Sequence, residues 1–240
     1  MELRYNRPTD PGRTFGSADT LVERVSPFLR AVYGWMFAGL AITAVTASLV
    51  ASSPGLVAAL VANRLLFWVL VLAQLGIVFA LSARVERLAP STASALFIVY
   101  SALTGVTLSL VLLAFTGESI ATTFVVTGGM FGALALYGSA TRRDLSGLGS
   151  FLFMGLVGLV LASIVGLFWQ NDALQFLISF VGVIVFTGLT AFDAQRLKAM
   201  ALAMPGGQTG SYAVVGALAL YLDFINLFLF LLRFLGQRRD

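Results

Sequence analysis

Apolar residues gather into seven long segments separated by short polar stretches, and this pattern predicts the whole architecture. The segments run over about 28–51, 65–83, 92–115, 119–139, 149–169, from 173 to at least 192, and 212–232. Each is close to the ~20 residues that carry a helix across a bilayer core of ~30 Å. None shows the two-residue alternation of a membrane β-strand. The breaks hold turn and charge signals: Pro54-Gly55, Arg84 to Arg87, Thr116-Gly117-Glu118, Arg142-Arg143-Asp144 and Gln170-Asn171-Asp172. Short connections make successive helices antiparallel neighbours. The expected fold class is an all-α polytopic membrane protein, a single bundle of seven transmembrane helices spanning 28–236. A polar amino-terminal tail, 1–27, precedes it and a carboxyl tail, 237–240, follows. The amino tail holds Pro8, Pro11, Gly12 and Pro27 among four arginines and lacks the layout of a signal peptide. It reads as disordered or loosely attached.

Composition agrees. The chain is 59% hydrophobic and only 11% charged, against about 25% charged for ordinary soluble domains. It contains no His and no Cys. This removes thiol chemistry, disulfides and the usual ligands of zinc, haem and iron–sulfur clusters. It also removes the side chain that ordinarily titrates near neutrality, so any pH response must come from carboxylates. The net charge of +4 reflects loop arginines rather than a nucleic-acid surface. Carboxyl tail aside, every basic residue except Arg64 falls on the side of the amino tail. By the positive-inside rule the amino terminus is cytoplasmic. Arg233, Arg238 and Arg239 stand against that pattern. Either the early helices dominate, or the last segment dips in and returns.

Small residues recur within the segments: Gly34, Gly39, Gly105, Gly128, Gly129, Gly132, Gly155, Gly158, Gly166, Gly182 and Gly188. Close helix packing is the plain reading; the lining of a pore is the functional alternative for a few.

Of the eleven acids, only Asp193 and Asp223 are embedded in apolar sequence. A charge at mid-membrane costs roughly 2.5–3.5 kcal/mol on insertion scales, and such residues mark function by default. The plain alternative is a pair of lone acids that hold helices together through hydrogen bonds. Taken at the segment ends, the two depths differ by more than ~10 Å. The difference shrinks if the sixth helix continues through Ala194 to Ala203, a stretch of good helix formers that ends before Pro205-Gly206-Gly207. The expectation is therefore a long sixth helix and two facing aspartates. Two carboxylates in contact in a low-dielectric bundle do not easily both ionise; they share a proton and titrate as a unit. Arg84, at the end of the second segment, and Asn226, three residues after Asp223 on the same helical face, are candidate partners of the pair.

The segments FTGESIATTFVVTGGMFGALALYGSATRRDLSGLGSFLFMG (115–155), FDAQRLK (192–198) and ALYLDFINLFLFLLRFLG (219–236) resemble the Bax inhibitor-1 family of membrane proteins, in its bacterial branch. The resemblance covers about residues 24–236. It implies six helices around a central seventh, and an aspartate pair, here Asp193 and Asp223, that senses pH for a calcium leak. It places the family's basic partner at Arg84, on pattern alone. It also implies a multi-pass protein of the bacterial inner membrane and, for bacterial members, a link to a membrane-bound protease.

Three functions compete. The first is a pH-sensitive cation leak for Ca²⁺, without a cofactor, in which Asp193 and Asp223 bind the ion weakly. A carboxylate pair suits a hard cation, but two acids are too few for a tight site. The second is a membrane interaction protein that modulates a protease or a stress response and tolerates loss of the acids. The third, an intramembrane aspartyl protease, lacks its G-x-G-D motif, since Leu220, Tyr221 and Leu222 precede Asp223; the expectation is a non-enzyme. A retinal protein is excluded because the only lysine is Lys198, outside the seventh segment.

Overall fold

The computed structural model describes residues 16–169, 171–203 and 209–239. Among them the chain forms eight helices: α1 (Gly16–Ala51), α2 (Pro54–Ala62), α3 (Arg64–Ala83), α4 (Pro90–Ala114), α5 (Gly117–Ala140), α6 (Ser146–Phe168), α7 (Asp172–Ala203) and α8 (Thr209–Leu235). Seven of them, all but α2, are long and apolar enough to cross a membrane. The protein is an all-α polytopic membrane protein. Residues 1–15 of the amino tail, Pro205-Gly206-Gly207 and Asp240 lie outside the described residues.

The sequence expectation is corrected at two places. α1 begins at Gly16, well inside the stretch expected to be an unstructured tail, and carries Pro27 within it. Within it, Pro27–Ala51 is long and apolar enough to cross a membrane. The second is α2, where a turn was expected. Pro54 does not stop a helix there; it opens one, because a proline at the first helical position gives up no hydrogen bond. Asn63 closes α2 and caps the next helix, its side chain accepting from Leu66 N at 3.0 Å. At nine residues, α2 is too short to span.

α8 is the central helix: 72% of its most apolar window is buried, against 6% for α3. It packs on α1, α3, α4, α5 and α7, whereas α6 packs on α7. Between lipid-facing helices the hydrophobic effect contributes little, so close approach and polar contacts hold the bundle. Gly105 admits α1 so closely that an added Cβ would lie 2.7 Å from the Thr43 carbonyl oxygen. Beside it, Thr43 Oγ1 donates to Ser101 O at 2.9 Å and meets Tyr221 Oη at 2.6 Å, tying α1, α4 and α8 together. Tyr221 is fully buried and lies edge-on to Phe97 and Tyr100.

The last helix crosses completely. Beyond it, residues 237–239 run antiparallel to the α4–α5 turn: Arg238 bridges Phe115, Thr116 N donates to Gln237 O and Arg239 N to Ala114 O, both at 3.0 Å. The carboxyl tail thus sits at the end of the bundle opposite the α3–α4, α5–α6 and α7–α8 connections. The dip-and-return alternative for the last segment is removed.

Candidate functional site

The long α7 sets the site. It continues ten residues past Asp193, which puts Asp193 about 15 Å from that end, while Asp223 is about 21 Å from the start of α8. The depths now agree to about 6 Å, within reach of two side chains on adjacent antiparallel helices.

Rotation of α7 is fixed by notches at glycines. Phe192 fills the notch at Gly149 of α6, its ring atoms 2.5–2.6 Å from where a Cβ would stand, and Leu152 fills the one at Gly188. Gly138 of α5 lies directly on the Ala191 backbone. One residue beyond Phe192, about 100° around the helix, Asp193 turns toward α8. Gly216 of α8 receives Leu197, and Gly182 receives the Phe230 ring. Polar clamps hold the same end of α7. Gln195 Nε2 donates to Arg143 O at 2.7 Å, and its Oε1 accepts from Leu145 N at 2.9 Å. Lys198 Nζ donates to Ser139 O at 2.6 Å, at the carboxyl end of α5, where a cation is favoured.

The carboxyl groups of Asp193 and Asp223 come within hydrogen-bonding reach of each other. They are not equivalent. Asp223 is 4% exposed. The Asp193 side chain is 16% exposed and lines a cavity of about 280 Å³ between α3, α7 and α8. Arg196 lines the same cavity; its Nη1 is 3.8 Å from Asp193 Oδ1, and its side chain is 62% exposed. The order from solvent inward is therefore Arg196, Asp193, Asp223. Asp223 Oδ2 finds no donor among the described residues. A buried carboxylate oxygen without a donor is costly. A proton on either carboxyl supplies the missing donor, so the arrangement is satisfied when the pair holds one proton between them.

On the far side of Asp223 the seam is apolar. Phe186 and Phe230 stack at 5.8 Å, within a cluster that includes Leu189, Leu227 and Leu231. The pair is thus approached through the cavity on the α3 side and closed off beyond.

Of the residues expected at the site, Asp193 and Asp223 are brought together. Arg84 caps α3 and lines a separate recess on the α3–α4 turn; among the described residues it forms no ion pair with either acid. Asn226 Nδ2 donates to Leu222 O of its own helix at 2.8 Å. The cation beside the pair is Arg196, whose three-residue spacing from Asp193 on one helix was the available signal. Gln195 and Lys198 were not foreseen, because their partners are backbone groups some fifty to sixty residues away. Among the described residues no group of three or more Asp, Glu, His or Cys could hold a metal ion; the carboxylates that a divalent cation would meet at this site are two.

Comparison with known proteins agrees with an all-α polytopic membrane protein. Residues 25–240 match the family model described as inhibitor of apoptosis-promoting Bax1. The inner membrane protein YbhL of Escherichia coli is 47% identical over 231 residues, covering 94% of this chain and 99% of that protein. An uncharacterized protein of Borreliella burgdorferi is 46% identical over 215 residues, covering 89% and 93%. An uncharacterized membrane protein of Streptococcus pyogenes is 36% identical over 182 residues, covering 76% and 79%. With a family match over residues 25–240 and a relative 47% identical over 94% of the chain, the protein belongs to the Bax inhibitor-1 family of integral membrane proteins.

Proposed function

We propose that the protein is a pH-sensitive cation leak, permeable to Ca²⁺, whose gate is the Asp193–Asp223 pair. The observation that carries this reading is the buried carboxyl–carboxyl contact with an unpartnered Asp223 oxygen, reached from a cavity that holds Asp193 and Arg196. A shared proton ties α7 to α8. Its loss places two like charges in contact where little water screens them, and the packing of the two helices must respond. Ionised, the pair offers hard oxygen ligands that suit Ca²⁺, too few for tight binding and compatible with passage. The groups that face the pair are Arg196 on α7, through the ion pair, and the two acids themselves. The basic residues of the α3–α4 and α5–α6 connections, with Arg196 and Lys198 near the same end of α7, support a cavity that faces the cytoplasm, in a bacterial inner membrane such as the one named for YbhL.

The test is Ca²⁺ flux in liposomes holding the purified protein, between about pH 5 and 8, with Asp193→Asn and Asp223→Asn beside the parent. Flux that varies with pH in the parent and is flattened in either variant supports the gate. No protein-dependent flux refutes the leak. Flux in both variants that follows pH like the parent refutes the gate and leaves the acids as a helix-packing group.

A further inference from the structure

At the end of the bundle away from the carboxylates, α6, α7, α8 and the carboxyl tail enclose a second cavity, of about 500 Å³. Its charged and polar lining includes Arg233, Arg238, Gln175 and Asp172. Each is placed by a feature of the fold. Arg233 belongs to the last turn of α8, with its guanidinium 5.9 Å from the Phe230 ring centre. Arg238 is held in the wall because backbone hydrogen bonds flank it on both sides, Thr116 N to Gln237 O and Arg239 N to Ala114 O. Gln237 N also donates to Ser119 Oγ at 2.9 Å. Gln175 lies across Gly166 of α6, its Nε2 3.0 Å from where a Cβ would stand. Among the described residues neither arginine forms an ion pair. With Asp172 the formal charge of the recess is positive, which repels a cation and suits a singly charged anion.

The recess sits where the spans end, at Phe168, Asp172 and Leu235, which is the level of lipid headgroups. Directly beside it Phe176, Phe180 and Phe234 form one aromatic face, with ring centres 5.3–6.5 Å apart. The three are 59%, 47% and 42% exposed. A cationic recess at headgroup level joined to an apolar face within the span matches an amphiphile, not a free ion.

We propose that Arg233, Arg238 and Gln175 bind the phosphate of one anionic phospholipid, whose acyl chain lies along Phe176, Phe180 and Phe234. Two planar guanidinium groups suit phosphate oxygens better than ammonium groups would. The proposal does not depend on the leak reading.

The experiment uses the full-length protein in detergent, with native mass spectrometry and thermal unfolding. The added probes are phosphatidylglycerol, phosphatidylcholine and inorganic phosphate. One phosphatidylglycerol is expected to remain bound per chain and to raise the unfolding midpoint, with phosphatidylcholine retained at least about tenfold less. Arg233→Gln and Arg238→Gln should each weaken retention by about tenfold, the scale of one hydrogen bond to a charged group. Arg142→Gln, at the other end of the bundle, should leave it unchanged. Arg238 lies in the tail, outside the packed core, so its variant reports on the recess and not on folding. Equal retention by the double arginine variant overturns the site. Equal retention of phosphatidylcholine overturns the charge argument, and displacement of the lipid by an equal concentration of inorganic phosphate overturns the lipid as occupant.

Discussion

Replacing Gly138 by Ala adds one methyl group where α5 rests on α7. The new Cβ would overlap the carbonyl oxygen of Ala191 and stand 2.8 Å from its carbonyl carbon and 3.0 Å from its Cα, where ordinary contacts lie at 3.4–4 Å. These neighbours are backbone atoms in mid-helix, so no rotamer change relieves the overlap. The helix axes must part by roughly an ångström, from a usual separation of 8–10 Å. Overpacking of this kind costs about 1–3 kcal/mol, and a rigid neighbour places Gly138→Ala at about 2–3 kcal/mol. At about 2–4 °C per kcal/mol for a chain of this size, the unfolding midpoint in detergent should fall by about 4–12 °C. The effect should reach function as well, since Ala191 precedes Asp193 by two residues and α7 would carry that carboxyl away from Asp223. Flux from the same preparation should then lose part of its pH dependence. Gly128→Ala, which meets nothing within 4 Å, is the control and should be neutral or slightly stabilising, as alanine favours helix by up to about 1 kcal/mol. A Gly138→Ala protein as stable as Gly128→Ala would refute the reasoning.

Tyr221→Phe removes the 2.6 Å contact with Thr43 while keeping the ring; a loss of about 0.5–1.5 kcal/mol is expected in thermal unfolding, with the pH dependence of flux unchanged. Asp144, in the α5–α6 connection, accepts from Ser146 N at 2.9 Å, and its hydrogen bonds to Ser146 hold its carboxyl below the ordinary 3.8. Its contribution to the start of α6 is therefore complete above the ordinary value and is lost as pH falls through the lowered one. Amide exchange at Ser146 and Gly147, corrected for intrinsic rates, should quicken only in that acidic window, and Asp144→Ala should remove the step.

The spans were legible because each apolar run matches a bilayer: 65–83 became Arg64–Ala83, and 119–139 became Gly117–Ala140. The extension of α7 to Ala203 could be read from helix formers alone. α2 could not, because Pro54 stops a chain or starts a helix depending on which side of it the hydrogen bonds fall. Asp193 and Asp223 stood out as the only acids in apolar surroundings, a property of sequence. Their neighbours were harder. Arg84 was placed by its position at the end of the second span; that end does reach the cavity, where Ser82 and Val85 line it, but Arg84 itself lines the recess beside it. Among the glycines, spacing could not separate Gly105 and Gly182, which admit a neighbour, from Gly34, Gly128, Gly129, Gly132 and Gly158, which meet open space. That distinction depends on which face each helix presents, and a helix apolar on all sides does not declare its inner face.

The centrality of α8 has a consequence for how the protein is made. Chain order and burial are at odds at one point: the most buried helix leaves the ribosome last. Until Thr209–Leu235 has been synthesised, the groups that close on it lack that contact, among them Thr43 of α1 with Tyr221 and Asp193 of α7 with Asp223. The earlier spans can enter the bilayer one by one, but their final packing waits for the end of translation, and a chain truncated before Tyr212 is seven-eighths of a polypeptide with an unfilled centre.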